Sequence, residues 1–72
     1  MKLYITFGQD HAHHVNGVTF DRDAVAEISC EDYGDGRAIA MDLFGPKFAT
    51  SYDETQIAEC LHFFPRGIFK AN

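Results

Sequence analysis

The chain begins with a strict alternation of hydrophobic and polar positions. In residues 2–7, KLYITF, the side chains of Leu3, Ile5 and Phe7 share one face of an extended segment, and the more polar side chains share the other. A period of two in a stretch rich in β-branched and aromatic residues is typical of a half-buried strand. We therefore predict a first strand here, ended by Gly8.

The same alternation returns in residues 24–30, AVAEISC, which we predict to be the second strand. The face that carries Ile28 should point to the core, because burial of the opposite face would bury Glu27 without a partner. Between the two strands, Asn16-Gly17 is a favoured pair for a two-residue hairpin turn and predicts a small hairpin tip. No helical pattern separates the strands, so we expect them to pair antiparallel.

The hydrophobic spacing changes to that of a helix in residues 31–46, and Gly45-Pro46 is a helix stop. The stripe predicted to face the core carries Tyr33, Gly36, Arg37, Ala40, Met41 and Phe44. Small residues one turn apart on this stripe would let the helix lie close to a sheet. At 100° per residue, Ile39 points about 130° away from the centre of the stripe, and Leu43 lies at its flank.

The remaining residues predict three shorter elements. Residues 47–52 alternate as a third strand, residues 53–64 have the spacing of a short helix opened by Asp53 or Thr55, and residues 67–71 form a last strand. The predicted fold class is α+β. It consists of a small antiparallel sheet of about four strands, in the order β-β-α-β-β, with one helix packed across one face.

Length and charge restrict the kinds of partner. The chain has 72 residues, which predicts a single domain over residues 1–72. Six Lys and Arg residues against eleven Asp and Glu residues give a net charge of -5, and the cations are scattered along the chain. Binding to nucleic acids or to anionic membrane surfaces requires clustered cations on the protein, so neither is an expected partner. No segment has the length of a membrane span, and residues 1–10 have a strand pattern rather than that of a signal peptide. A cytoplasmic location is therefore expected.

Three of the four histidines, His11, His13 and His14, lie within four positions and next to Asp10. Imidazoles with a nearby carboxylate bind zinc or nickel, but a closed site needs a fourth ligand from elsewhere in the fold. The chain has neither HExxH nor CxxC spacing. We expect a polar connection between strands and no bound cofactor, with a small metal-binding module as the alternative.

Nucleophilic catalysis has little support in the sequence. Cys60 lies two residues from His62, and Cys30 precedes Glu31, but both cysteines fall at positions predicted to be in the core. A reactive cysteine needs an electropositive and partly open site. No serine lies in a GxSxG context. We therefore expect a protein that is not an enzyme.

The predicted helix offers a candidate protein-binding surface. Two apolar side chains away from the core stripe are bordered by acids, and an apolar spot with a charged rim is a credible protein contact. The predicted partner-binding residues are Glu27, Glu31, Asp32, Asp35, Ile39, Asp42 and Leu43. The core of a chain this small rarely contributes more than about 3–5 kcal/mol to stability, so binding to a partner or formation of a homodimer would add useful stability.

Three short stretches resemble a family of small uncharacterised proteins encoded by bacteriophages and prophages: ITFGQDHAH, EDYGDGRAIAMDLFGPKFATSYDE and FFPRG. The matching residues are Phe7, Gly8, Gln9, His11, His13, Arg37, Phe44, Gly45, Tyr52, Phe64, Pro65 and Gly67. The chain departs from the family at Ile5, where Phe is usual, and at Gly36, where Ala usually precedes the arginine. The resemblance implies a phage origin and a bacterial cytoplasm.

Small acidic phage proteins commonly act by binding a host protein. We therefore expect a non-enzymatic binding module that inhibits or modulates a host protein or complex, such as an anti-CRISPR or other anti-defence inhibitor. Surplus negative charge would suit the cationic nucleic-acid channel of such a target. The alternatives are the metal-binding module and a homo-oligomeric phage structural or assembly protein.

Overall fold

A computed structural model describes residues 1–8, 12–45, 48 and 50–72 of the chain. The described residues form six strands, two α-helices and one 3-10 turn. The elements are β1 (Lys2–Thr6), β2 (His13–Val15), β3 (Val18–Phe20), β4 (Ala24–Ser29), α1 (Tyr33–Phe44), β5 (Thr50–Tyr52), α2 (Glu54–Cys60), the turn Leu61–Phe63 and β6 (Gly67–Lys70).

Four of the strands form the main sheet, in the order β5-β1-β4-β6, while β2 and β3 form a separate hairpin. β1 pairs antiparallel with β4 and with β5, as predicted for the first two strands. β6 pairs parallel with β4, so the prediction of a wholly antiparallel sheet is wrong at this edge. β4, β5 and β6 run in one direction, and parallel strands need a crossover connection. α1 supplies the crossover from β4 to β5, and α2 supplies that from β5 to β6. The α+β fold class is confirmed.

The face of the sheet covered by α1 holds the larger core cluster. Leu3, Ile5 and Ile28 are fully buried there, which confirms the predicted core faces of β1 and β4. From α1, Ala40 and Phe44 join this cluster. These side chains remove a continuous apolar surface from water, which is the main favourable contribution to folding.

The orientation of α1 differs from the predicted one. Ile39 and Leu43 are half-buried and pack against the core, whereas Tyr33 and Met41, predicted to face the core, are 45% and 47% exposed. Arg37 is also exposed. The helix is thus rotated so that two aliphatic side chains face the sheet. Turning the predicted stripe inward would instead have buried a guanidinium group, which is costly without a partner.

The other face of the sheet is covered by α2, so the sheet has a helix on each side rather than on one side. Tyr4, Val25 and Ile57 form the second core cluster there. α2 begins at a capping box: the Asp53 carboxylate accepts from the Gln56 N–H at 2.8 Å, and the Gln56 side chain accepts from the Asp53 N–H at 3.0 Å. The predicted opening of this helix at Asp53 is confirmed.

The predicted hairpin tip is confirmed at Asn16 and Gly17, whose φ angles are 51° and 79°. Positive φ at both central residues matches the twist of the flanking strands. Phe20, at the end of β3, is fully buried in the larger core cluster and fixes the hairpin against the sheet. Neither helix in the described ranges is long and apolar enough to cross a membrane.

Candidate functional site

The acids Glu31, Asp32 and Asp35 have a structural role at the start of α1. The Asp32 carboxylate accepts from the Asp35 N–H at 2.8 Å, and the Asp35 carboxylate accepts from the Glu31 N–H at 3.0 Å. N-cap acceptors of this kind satisfy main-chain donors that have no partner within the helix. All three side chains remain exposed, so the same carboxylates stay open to a partner.

Further along α1, Asp42 is exposed on the outer side of the helix, seven residues after Asp35. Seven residues make about two helical turns, or roughly 10 Å along the axis. The exposed side chain of Ala38 lies one turn from each of these acids, and the exposed side chain of Met41 lies one turn from Ala38, on the side away from the acids. The structure therefore brings Asp35 and Asp42 together on one side of an exposed surface whose other side carries Met41. We call Asp35, Ala38, Met41 and Asp42 the outer face of α1.

Five of the seven predicted partner-binding residues do not belong to this outer face. Glu31 and Asp32 are exposed just before the start of α1. Ile39 and Leu43 turn toward the core, so the predicted apolar spot at these two residues is wrong. Glu27 lies on the opposite face of the sheet, because it pairs across the strands with Tyr4, which is packed on the α2 side. The exposed apolar surface of α1 comes instead from Tyr33 and Met41.

Glu27 is occupied by local contacts. Its side chain is only 12% exposed, lies 3.6 Å from the Lys2 ammonium, and accepts a hydrogen bond from the Tyr4 hydroxyl at 3.4 Å. Burial first, and then the negative charges of Glu27 and Glu54, raise the pKa of Tyr4. Glu27 therefore neutralises the charge of Lys2, at the start of β1, and lies apart from the acids of α1.

The predicted metal ligands do not converge in the described part of the chain. His11 lies outside the described residues. The His13 ring packs against the rings of Phe7 and Phe44, at centroid distances of 5.5 and 5.4 Å. His14 is exposed and 2.8 Å from the Thr19 hydroxyl. Successive residues in a strand point to opposite faces, so these two imidazoles diverge. No group of three His, Cys, Asp or Glu side chains suited to a metal is found among the described residues.

The structure assembles a polar cluster that the sequence did not predict, formed by Tyr33, Arg37 and Ser51. The Tyr33 hydroxyl lies 2.6 Å from the Ser51 hydroxyl, and the Arg37 guanidinium donates to the same Ser51 oxygen at 3.0 Å. The guanidinium carbon also lies 5.6 Å from the centroid of the Phe48 ring. Ser51 is 9% exposed and pairs with Ile5, so its side chain points toward α1.

The electrostatics of this cluster are dominated by its hydrogen bonds. The hydrogen bond with Ser51 and then that with Arg37 lower the pKa of the Tyr33 phenol, while the carboxylate of Asp53 acts in the opposite direction. The helical spacing of Tyr33 and Arg37 is a sequence signal that these two side chains are neighbours. Nothing local in the sequence marks Ser51, because its position depends on how α1 packs over β5.

Comparison with known proteins identifies no relative. No protein-family model, no curated protein and no solved structure matches the chain.

Proposed function

We propose that the chain is a non-enzymatic, phage-encoded binding module that inhibits or modulates a host protein in the bacterial cytoplasm. Its binding surface is the outer face of α1. The observation that carries this proposal is the exposed side of α1, where Met41 is 47% exposed one turn from Ala38 and the carboxylates of Asp35 and Asp42 lie on the other side of Ala38. Protein interfaces commonly combine an apolar centre, in which methionine is enriched, with a polar rim.

The acids of this surface are available to a cationic partner. In the described residues the ion pairs join Lys2 to Glu27 and Arg66 to Asp21, and neither involves a carboxylate of α1. The net charge of -5 adds a long-range attraction to a positive surface. A host defence complex with a cationic nucleic-acid channel, such as a CRISPR effector, is a target with this chemistry.

A regular helix suits such a role because it holds the side chains in fixed positions. Asp32 and Asp35 cap the start of α1, and Ala40 and Phe44 fasten it to the sheet. Little conformational entropy is then lost when a partner binds, which favours affinity. The surface that contacts the partner is thus positioned by the same residues that stabilise the fold.

The test is a comparison of two charge reversals in affinity capture from a bacterial lysate. Asp42→Lys changes the outer face of α1, and Glu59→Lys makes the same change of net charge on an exposed residue of α2. Tagged wild type and both variants are compared for retained proteins by mass spectrometry. We expect Asp42→Lys to lose a host protein that the wild type and Glu59→Lys both retain. Equal retention by the two variants would contradict the proposal.

A further inference from the structure

The cluster of Tyr33, Arg37 and Ser51 has more hydrogen-bond donors than acceptors. The two hydroxyl groups bring two hydrogens, and their mutual bond uses one of them, whichever oxygen is the donor. The Ser51 oxygen also accepts from Arg37, which uses one of the five guanidinium donors. One hydroxyl hydrogen and several guanidinium N–H groups therefore remain for another acceptor.

Arg37 carries its charge without an ion pair among the described residues. Lys2 and Arg66 each form an ion pair with a carboxylate, whereas no ion pair involves Arg37 in this part of the chain. The guanidinium is held instead by neutral groups, the Ser51 hydroxyl and the Phe48 ring. In a chain with eleven acids, this arginine keeps its positive charge uncompensated by a direct contact.

The main chain adds a further donor at the same place. Met1 and Cys30 exchange two main-chain hydrogen bonds, of 2.7 and 3.0 Å. Along two antiparallel strands, residue pairs that exchange main-chain hydrogen bonds alternate with pairs that do not. The N–H and C=O groups of Tyr4 and Thr6 therefore point away from β4 and toward β5. There they pair with Tyr52 and Thr50, the residues on either side of Ser51. The N–H of Ser51 therefore faces the outer edge of β5, which has no second neighbouring strand among the described residues.

We propose that Arg37, Tyr33 and Ser51 form a binding site for an oxyanion, meaning the phosphate or carboxylate group of a small ligand. Arg37 would bind two oxygens with its forked N–H groups, the geometry that favours arginine at phosphates and carboxylates. The remaining hydroxyl hydrogen and the Ser51 N–H would bind the same group from the sheet side. The site is a surface cluster at the β5 edge, and the described residues enclose no pocket.

The electrostatics agree with this assignment. The pKa of Tyr33 is lowered although Asp53 opposes the shift, so the hydrogen bonds from this cluster stabilise a negative oxygen here. A phenol that ionises more readily is also a stronger hydrogen-bond donor to an anion. The site lies beside the outer face of α1, and its ligand does not depend on the protein partner proposed above.

The test is a titration with inorganic phosphate and separately with acetate, followed by two-dimensional NMR of the backbone amides and the arginine Nε–H groups. Sodium chloride at matched ionic strength is the control. We expect saturable shifts at Ser51 and Arg37 with at least one of the two oxyanions and none with chloride. Saturation by phosphate alone assigns a phosphate group, and saturation by acetate assigns a carboxylate. The absence of saturable shifts with both oxyanions would overturn the proposal.

Two matched arginine variants distinguish the loss of a specific contact with the oxyanion from the loss of one unit of net positive charge. Arg37→Gln should weaken oxyanion binding about tenfold or more, the factor expected for one lost charge-assisted contact. Arg66→Gln removes the same charge from an arginine that already has a carboxylate partner, and it should leave the affinity unchanged. Equal loss in both variants would overturn the proposal.

A second readout follows the phenol directly. A bound anion disfavours the phenolate, so saturating phosphate or acetate, whichever binds, should raise the pH at which Tyr33 ionises. Tyr33→Phe, which keeps the ring, should remove this component from the phenolate absorbance. An ionisation of Tyr33 that does not respond to a saturating oxyanion would place the ligand elsewhere and contradict the site.

Discussion

Gly36 of α1 and Leu3 of β1 lie so close that a Cβ at Gly36 would be 2.8 Å from Leu3 Cδ2 and 3.1 Å from Leu3 Cβ. The Cys30 sulfur would be 2.9 Å from the same added atom. Only glycine lets the helix main chain approach the sheet this closely. The contact sets the distance between α1 and the sheet, and through it the position of the outer face of α1.

Gly36→Ala should lower the free energy of unfolding by about 1–3 kcal/mol, the usual cost of overpacking a core. The loss should occur although alanine has the higher helix propensity. Gly34→Ala is the matched control in the same helix, because its Cβ would lie 3.5 Å from an Asp32 carboxylate oxygen, an ordinary contact. We expect it to stabilise the chain by about 0.5–1 kcal/mol. Urea unfolding measures both, and a stabilised Gly36→Ala variant would contradict the close approach.

Asn16→Gly tests the contact between the hairpin tip and the end of the chain. The Asn16 amide donates to the Ala71 carbonyl at 2.7 Å, and Ala71 is fully buried. Glycine accepts the positive φ of this position without steric strain, so the turn itself should survive. We expect a loss of about 0.5–1.5 kcal/mol, the net value of one hydrogen bond. Unchanged stability would show that only the turn geometry matters at Asn16.

Tyr33 should ionise at a lower pH than Tyr4. The pKa of Tyr33 is lowered by its hydrogen bonds with Ser51 and Arg37, whereas the pKa of Tyr4 is raised by burial and by Glu27. Phenolate absorbance measures this order. Tyr33→Phe should remove a component that ionises at a lower pH than the component removed by Tyr4→Phe, and the reverse order would contradict both environments.

The same shifts have opposite effects on stability. Because the folded pKa of Tyr33 is lowered, its contribution is present above the unfolded value of 10.0 and is lost as the pH falls through the folded pKa. Because the folded pKa of Tyr4 is raised, its contribution is complete below 10.0 and is lost as the pH rises through the folded pKa. As the pH rises through the alkaline range, the free energy of unfolding of wild type minus that of the variant should therefore increase for Tyr33→Phe and decrease for Tyr4→Phe, as measured by denaturant unfolding.

Zinc or nickel should leave the midpoint of thermal unfolding unchanged. The His13 ring packs against the rings of Phe7 and Phe44, and the neighbouring His14 lies on the other face of β2. Two diverging imidazoles do not share a metal ion. A rise in the midpoint that His13→Ala abolishes and His62→Ala retains would instead support the metal-binding module.

Local pattern was sufficient to predict much of the fold. The alternation in β1 and β4, the Asn16-Gly17 turn and the cap at Asp53 are each set by residues that are neighbours in the sequence. Their propensities agree with the final structure, so short windows predict them correctly. The fold class followed from the order of these elements.

Relationships between distant elements were not predictable in the same way. The rotation of α1 about its axis depends on which of its side chains pack against the sheet, and Ile39 is one of those that do. The parallel pairing of β6 requires α2 to cross the sheet, which no window of sequence reveals. The contact of Tyr33 with Ser51 arises only when α1 lies over β5.

The most direct measurement of the central claim is photocrosslinking in a bacterial lysate from a single replaced side chain. A photoreactive amino acid replaces Met41, on the outer face of α1, or Phe63, which is 66% exposed after α2. The account predicts that position 41 forms a covalent adduct with one host protein, that position 63 does not, and that Asp42→Lys abolishes the adduct. Adducts with one host protein from position 63 and none from position 41 would contradict it.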